Sequence, residues 1–160
     1  AFAYGGGYTW YEMEDLGKPE PKTFAASYAK VRQFITDVTN GYPVDGSRVF
    51  LGGFSMGTIM SLGIALAEPE CVHGVVAASG YVPEGAGLAF AWERVKGKPF
   101  FLSHGTYDPV IPVSYAHRAK ELLEGAQANL TYREYDMGHT IGEENLNDMM
   151  TWLAGHLTGL

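Results

Sequence analysis

The stretch RVFLGGFSMGTIMSLGIAL, Arg48 to Leu66, places a single serine between two glycines at the junction of two apolar runs. The run before the serine has the length of a strand, and the run after it is long enough and apolar enough for a buried helix. A sharp strand-to-helix turn would hold the hydroxyl of Ser55 away from the backbone, and the small residues Gly53 and Gly57 would relieve the crowding there. The pattern predicts a nucleophilic serine, with a merely structural turn as the alternative.

The backbone amide after this serine is the predicted donor to a developing oxyanion. Met56 would open the helix, and the first N–H groups of a helix have no partner within it. A phosphate-binding loop is the competing interpretation of the glycines. Gly52 and Gly57 have its outer spacing, but Thr58 stands where the lysine is required, and no G-x-G-x-x-G pattern occurs. The turn therefore indicates nucleophilic catalysis rather than phosphate binding.

Short apolar strands alternate with helical patterns along the rest of the chain. Continuous apolar strands separated by helices are typical of a parallel sheet covered on both faces, so we predict one α/β domain over residues 1–160, with residues 1–22 mostly loop. The predicted strands are 48–54, 73–80, 99–105 and 129–137, the last nearer a sheet edge. The predicted helices are 23–40, 56–67, 113–125 and one that follows a capping box at Thr140–Glu143.

His139 is the histidine best placed to act as the base. It follows the last predicted strand, and the carboxyl ends of parallel strands share one edge of the sheet with the serine turn. His104 ends another strand and could also line the site, or make a structural hydrogen bond to the next loop. The remaining three histidines open a strand or lie in helices and have no such placement: His73, His117 and His156.

The acid that orients the base is expected at the same edge of the sheet. Asp108 lies in a proline-containing loop after the third strand, whereas its rival Asp136 is only three residues from His139 and can simply end its own strand. We therefore predict Asp108, which would hold the imidazole in the required tautomer and stabilise it when protonated. The resulting chain order, serine, aspartate, histidine, is the order expected of α/β hydrolases.

Composition and charge exclude several other functions. The formal net charge of -7 and the lack of a basic run argue against nucleic acid as a partner. No stretch approaches about 18 consecutive apolar residues, so no membrane span is expected. We expect no metal or organic cofactor and a buried structural role for the single cysteine, Cys71. The sequence does not open on a basic-then-apolar leader segment, although a mature form could have lost one, and the expected location is cytoplasmic.

The chain resembles the phospholipase/carboxylesterase family of α/β hydrolases, which includes acyl-protein thioesterases. The matching segments are WYEMED, VTNGYPVDGSRVFLGGFSMG, AASGYVP, HGTYDPVIP and DMGHTI, in the order of the family. The resemblance implies an α/β-hydrolase fold, with Ser55, Asp108 and His139 as a catalytic triad and the amide of Met56 as an oxyanion donor. It also implies that Trp10, Tyr81 and the loop 81–98 lie close to the acyl pocket, as substrate-binding candidates.

Two features depart from the family pattern. Met56 replaces a residue that is often glutamine, which should leave a backbone donor unaffected. Members of the family normally begin with several strands and a His-Gly loop that supplies a second oxyanion amide, so residues 1–160 correspond to the C-terminal two-thirds to three-quarters of such a domain. The segment YGGGY, Tyr4–Tyr8, is a candidate for that loop, although its distance from Ser55 fits the later tryptophan-containing loop better. We expect a second chain or a further segment to supply the missing strands, and a homodimer is an open alternative.

The expected function is that of a serine carboxylesterase acting on carboxylic esters, or thioesters, of small to medium acyl chains. Ser55 would form an acyl-enzyme that water resolves, with His139 transferring the protons. Three alternatives stay open. These are another α/β hydrolase such as a peptidase or a dienelactone-type enzyme, a hydrolase-like binding module without turnover, and a purely structural protein.

Overall fold

A parallel four-stranded sheet forms the centre of the molecule. The computed structural model describes residues 2–4, of which only the backbone is described, and residues 7–158. The four strands of the sheet lie side by side in the order in which they follow along the chain, and all neighbours are parallel. The sheet strands are β5 (Phe50–Phe54), β6 (Gly74–Ala78), β7 (Pro99–Gly105) and β8 (Asn129–Tyr135), and the four helices are α1 (Pro21–Gly41), α2 (Met56–Ala67), α3 (Val113–Gly125) and α4 (Glu143–Thr158).

Helices cover the two faces of this sheet unequally. Phe100 and Leu102 of β7 point into a core that also holds buried side chains of α1, α2 and α3. Phe101, between them in sequence, points to the opposite face and packs against Trp152 of α4, with ring centroids 5.9 Å apart. Since successive side chains of a strand alternate between faces, three helices lie on one side and α4 on the other. The predicted α/β class, with a parallel sheet covered on both faces, is confirmed.

The predicted and observed bounds are the same for three elements, α2, β7 and α3. Helix α1 begins earlier than predicted, at Pro21, because the carboxylate of Glu20 accepts hydrogen bonds from the amides of Lys22 and Thr23 at 3.0 and 2.7 Å. Strand β8 ends at Tyr135, before its predicted end, and is an edge strand as expected.

Two predictions about local structure are wrong. Residues 1–22, predicted to be mostly loop, contain two short antiparallel hairpins, β1 (Phe2–Tyr4) with β2 (Gly7–Thr9) and β3 (Met13–Asp15) with β4 (Lys18–Pro19). The capping box at Thr140–Glu143 does not form, because α4 begins at Glu143 and its first backbone bond runs from the amide of Leu146 to the carbonyl of Gly142. Gly142 therefore takes the cap position that the motif assigned to the threonine.

Candidate active site

Ser55 lies at the turn between β5 and α2 in a strained backbone conformation, with φ 54° and ψ -120°. Positive φ is uncommon for a residue with a Cβ atom and persists only where the surroundings enforce it. Here the strand and helix nearly touch, since a Cβ atom on Gly53 would lie 2.3 Å from the backbone nitrogen of Thr58. Gly53 is therefore required by contact, as the sequence pattern predicted. The same prediction for Gly57 is wrong, because a Cβ atom there would meet nothing within 4 Å.

A continuous hydrogen-bonded chain joins the three residues predicted as nucleophile, base and acid. Nδ1 of His139 lies 2.7 Å from Oδ2 of Asp108, and Nε2 of His139 lies 3.0 Å from Oγ of Ser55. A carboxylate can only accept, so Nδ1 carries the proton and Nε2 is free to accept the proton of the serine hydroxyl. The structure thus brings together residues from three separate loops, in the orientation that general-base activation of a serine needs.

Asp108 is held as an anion by its own loop. Its Oδ1 accepts hydrogen bonds from the amides of Val110 and Ile111, at 2.8 and 2.9 Å. Burial opposes ionisation of this carboxyl, but the hydrogen bonds from Ile111, His139 and Val110 outweigh burial and hold the pKa of Asp108 below its ordinary value. The acid is therefore ionised when the histidine needs a partner for its positive charge.

His104, the alternative base, has a structural position instead. It is fully buried, and its Nε2 donates to the carbonyl of Ile111 at 2.8 Å and lies 3.5 Å from Oδ2 of Asp108. His104 therefore stabilises the loop that contains Asp108. Asp136, the alternative acid, is exposed, and its backbone carbonyl accepts from the hydroxyl of Tyr107 at 3.2 Å.

The other three histidines lie away from this chain of bonds. Nε2 of His117 contacts Glu134 at 2.7 Å on the surface, and Nδ1 of His156 contacts the carbonyl of Trp152 at 2.8 Å within α4. His73 packs its ring against Phe50, with centroids 5.1 Å apart. Their placement agrees with the sequence argument, which rested on the shared edge of a parallel sheet.

The predicted oxyanion donor opens α2. Met56 is the first residue of that helix, where backbone N–H groups have no partner within the helix, so its amide can point at a developing negative charge beside Ser55. The side chain of Met56 is fixed independently, since Oγ1 of Thr9 lies 3.2 Å from its sulfur. Of the candidate loop Tyr4–Tyr8, Gly5 and Gly6 lie outside the described residues, so a second amide donor stays a prediction.

The two predicted substrate-binding residues occupy different surroundings. Trp10 is 44% exposed and lines an apolar groove between α1, α2 and β5, which Gly57 also lines. Tyr81 is buried, and its hydroxyl accepts from the amide of Gly17 at 3.2 Å while its ring packs against Tyr115. The hydroxyl of Tyr81 thus anchors the second N-terminal hairpin, and the residue also lines a smaller cavity of about 280 Å³.

Sequence reasoning missed two residues that contact the site. The ring of Phe54 lies against the imidazole of His139, with centroids 4.8 Å apart, and so limits how far the base can turn. In the sequence, Thr58 stands out only because it occupies the lysine position of a phosphate-binding loop, yet its hydroxyl contacts both strands beside the serine. Neither role has a signal in a single sequence, because each depends on contacts with residues that the fold brings from elsewhere.

Cys71 is half-buried rather than buried, which corrects the prediction. The pKa of its thiol is raised to about 11, mainly by burial. The thiol therefore remains protonated and unreactive near neutrality. Within residues 7–158, the one cluster with metal-ligand geometry consists of this thiol, Glu68 and Glu70. Glu68 already accepts from Tyr28 and Arg32, at 2.6 and 2.7 Å, so its carboxylate is occupied by protein partners.

Known proteins resemble this chain in sequence and in fold. The chain matches the model of the phospholipase/carboxylesterase family over residues 2–157. It is 28% identical over 154 residues to acyl-protein thioesterase 1 of Candida albicans, covering 90% of this chain and 67% of that protein. The crystal structure of the Bacillus cereus carboxylesterase superposes with a TM-score of 0.85 at 21% identity, over 96% of this chain and 71% of that one. The carboxylesterase from Mesorhizobium loti gives 0.83 at 20% identity, over the same shares of the two chains.

These structural likenesses show that the fold is that of the α/β hydrolases. This chain spans about two thirds of the length of the relatives it matches. Across the described part of the chain, no helix is both long enough and apolar enough to cross a membrane.

Proposed function

Because the chain belongs to the phospholipase/carboxylesterase family of α/β hydrolases, we propose that it is a serine hydrolase that cleaves carboxylic esters or thioesters through an acyl-enzyme on Ser55. The observation that carries the proposal is the unbroken chain of hydrogen bonds from Asp108 through His139 to the hydroxyl of Ser55. A structural turn would not require a base and an oriented acid at hydrogen-bonding distance from its serine.

Acylation follows from the positions of these atoms. Oγ of Ser55 attacks the acyl carbon while Nε2 of His139 removes its proton, and Asp108 stabilises the imidazolium that forms. The carbonyl oxygen of the substrate becomes an oxyanion that accepts from the amide of Met56. The imidazolium then protonates the departing alcohol or thiol, which leaves the acyl group on the serine.

Deacylation uses the same residues with water as the nucleophile. Nε2 of His139 removes a proton from water, the hydroxide attacks the acyl carbon, and the proton is returned to Oγ of Ser55 as the carboxylic acid leaves. The ring of Phe54, against the imidazole, keeps the base aligned for both half-reactions. The chemistry therefore needs the serine, the histidine, the aspartate and a backbone amide.

The surroundings of the serine support an acyl chain as the group that is recognised. Phe54 and Met56 flank Ser55 in sequence, and Trp10, which follows the residue whose hydroxyl contacts the sulfur of Met56, is 44% exposed. Apolar walls with few polar groups favour a hydrocarbon chain over a charged substrate. We assign Trp10 to the binding of small to medium acyl chains on this basis, whereas the assignment of Tyr81, which is buried and lines the smaller cavity, rests on the family resemblance alone.

The proposal is tested with a fluorophosphonate probe and intact-mass measurement. We expect one adduct on the wild type and none on Ser55→Ala, with Ser114→Ala, which removes an exposed serine of α3, labelled as the wild type is. Hydrolysis of p-nitrophenyl esters and acyl thioesters of increasing length then ranks the substrates. Absence of an adduct on a folded protein would overturn the assignment and favour a binding module without turnover.

We also infer that a further β-strand from outside residues 1–160, in the same polypeptide or in a second chain, pairs with β5. Within the described residues, β5 pairs with β6 alone, and the amide of Ser55 bonds to the β6 side. Alternate residues of a strand face opposite neighbours, so the backbone groups of Phe50, Gly52 and Phe54 face an open edge.

The groove beside this edge supports the inference. It has a volume of about 600 Å³, and among its apolar lining residues Phe34 of α1 is 66% exposed. Apolar surface of this kind marks a place where another segment binds. The intact mass and subunit composition of the protein isolated from its native source test the point. A mass equal to that of residues 1–160 alone, in a folded monomer, would contradict it.

A further inference from the structure

We propose that Thr58 is a positioning residue that holds the serine turn in its reactive conformation, an inference that rests on the proposed function of Ser55. Thr58 lies in the first turn of α2 and is fully buried. Its side chain has no exposed surface and its hydroxyl bonds only to backbone groups, so it acts through the backbone on either side of the nucleophile.

The hydroxyl of Thr58 joins the helix to both strands next to the nucleophile. Oγ1 lies 2.6 Å from the carbonyl oxygen of Gly53 in β5 and 2.7 Å from that of Ala78 in β6, and it accepts from the amide of Ala78 at 2.9 Å. A hydroxyl has one proton, so it donates to one of the two carbonyls at a time or shares the proton between them. All hydrogen bonds of this hydroxyl are thus made with backbone groups at the C-terminal ends of β5 and β6.

The same carbonyl of Ala78 also fixes the nucleophile. The amide of Ser55 donates to it at 3.0 Å, so Ser55 and Thr58 share one acceptor. The carbonyl of Ser55 in turn accepts from the amide of Ile59 at 3.1 Å. The positive φ of Ser55 is therefore enclosed between two hydrogen bonds, one of which ends on an atom whose position Thr58 helps to set.

Packing keeps the hydroxyl in this orientation. A Cβ atom on Gly80 would lie 2.4 Å from Cγ2 and 2.6 Å from Cβ of Thr58, so the bare backbone of that glycine accommodates the threonine methyl group. With the methyl group seated against Gly80, the side chain has a single rotamer that points the hydroxyl at Gly53 and Ala78. Valine at position 58 would keep this shape and leave the amide of Ala78 facing a methyl group.

Loss of the hydroxyl is expected to move Oγ of Ser55 relative to Nε2 of His139 without touching the substrate. A displacement of about 1 Å at a reacting atom can lower a rate about 100-fold. We therefore expect Thr58→Val and Thr58→Ala to lower kcat about 10- to 100-fold with KM within about twofold. Thr58→Ser, which retains the hydroxyl, should stay within about threefold of the wild type in kcat.

The experiment measures p-nitrophenyl ester kinetics and the rate of fluorophosphonate labelling on the three variants and the wild type. Thr58→Ser and Thr58→Ala form the matched pair, since both are smaller than threonine, cannot clash with Gly80 and differ by one oxygen atom. Leu123→Val, in the buried face of α3, reports the effect of lost stability alone and should keep the wild-type kcat.

The outcomes separate this inference from the proposed function. Rapid labelling of the wild type and of Thr58→Ser, together with slow labelling of Thr58→Ala, supports the positioning role, even if Thr58→Val fails to fold. Equal labelling rates for Thr58→Ser and Thr58→Ala, with the wild type reactive, overturn the positioning role and leave the function of Ser55 intact. A wild type that is never labelled overturns both proposals. A rise in the KM of Thr58→Ala at unchanged kcat would place Thr58 in substrate binding and would also overturn the inference.

Discussion

The carboxylate of Asp108 is held in place largely by the backbone of its own loop. Two backbone amides and the imidazole of His139 converge on its two oxygens, and this outweighs the cost of burying the charge. The carboxylate is therefore fixed in place as an anion, and the tautomer of the histidine follows from it. At this scale, chemistry depends on which proton donors surround one carboxylate.

Asp108→Asn should lower kcat by about 10³- to 10⁴-fold with a small change in KM, because the asparagine amide favours the wrong tautomer of His139. Steady-state kinetics on a p-nitrophenyl ester provides the measurement, and Asp136→Asn is the matched control, since that side chain is exposed. A loss of less than about tenfold would show that the imidazole is oriented by other groups.

The same carboxylate predicts a pH dependence of stability. The pKa of Asp108 in the folded protein lies below that of an unfolded aspartate, about 3.9, so its ionised form adds stability that is fully present above about pH 4. This stability is lost as the pH falls through the folded-state pKa. The difference in free energy of unfolding between the wild type and Asp108→Asn should therefore shrink from pH 7 to pH 3 in urea titrations. A difference that grows towards low pH would show that the sign is wrong.

The strand, turn and helix around Ser55 behave as one element. β5 and α2 approach so closely that glycine is the one residue type position 53 accommodates, whereas position 52 faces open space. The helix supplies the free amide of Met56, and the strand supplies the partner for Thr58. Reactivity at this scale depends on the distance between two backbones.

Gly53→Ala should destabilise the protein by about 3 kcal/mol and abolish labelling of the serine, because its Cβ atom would meet backbone atoms of Gly57 and Thr58 that cannot move aside. Gly52→Ala is the matched control in the same strand, with nothing within 4 Å of the new atom, and should change stability by less than about 0.5 kcal/mol. Urea unfolding and fluorophosphonate labelling measure both. Equal effects of the two substitutions would contradict the close approach.

At the scale of the whole molecule, the β5 edge of the sheet and the groove beside it leave more apolar surface exposed than the inner strands do. β6 and β7 are buried along their full length, whereas β5 is partly exposed although it is equally apolar in sequence. Phe34, on the wall of the groove, leaves most of its ring uncovered. Burial of β5 is thus a property of the complete assembly, and we expect it to govern solubility more than catalysis.

Residues 1–160 prepared alone should bind a hydrophobic dye and self-associate with rising concentration. Phe34→Lys should reduce both effects, because it places a charge in the groove, while Tyr42→Lys, at a residue that is also 66% exposed but does not line the groove, should leave them unchanged. Dye fluorescence and sedimentation velocity measure the two. A non-associating wild type that binds no dye would show that the groove needs no cover.

The sequence alone determined the strands of the parallel sheet, most of the helices beside it and the candidate triad, because these depend on local information. Hydrophobic periodicity marks where a helix can bury a face, so α2, β7 and α3 were predicted with their observed bounds. The common edge of a parallel sheet then placed Ser55, Asp108 and His139 together before any distance was known.

Contacts between distant segments were decided by the tertiary structure alone. Thr58 and Ala78 are 20 residues apart, and no pattern in one sequence tells which hydroxyl will meet which carbonyl. The same holds for the start of α4 at Glu143, where Gly142 and not Thr140 of the capping motif precedes the helix. Each of these depends on the free energy of packing across the fold, which a local pattern does not contain.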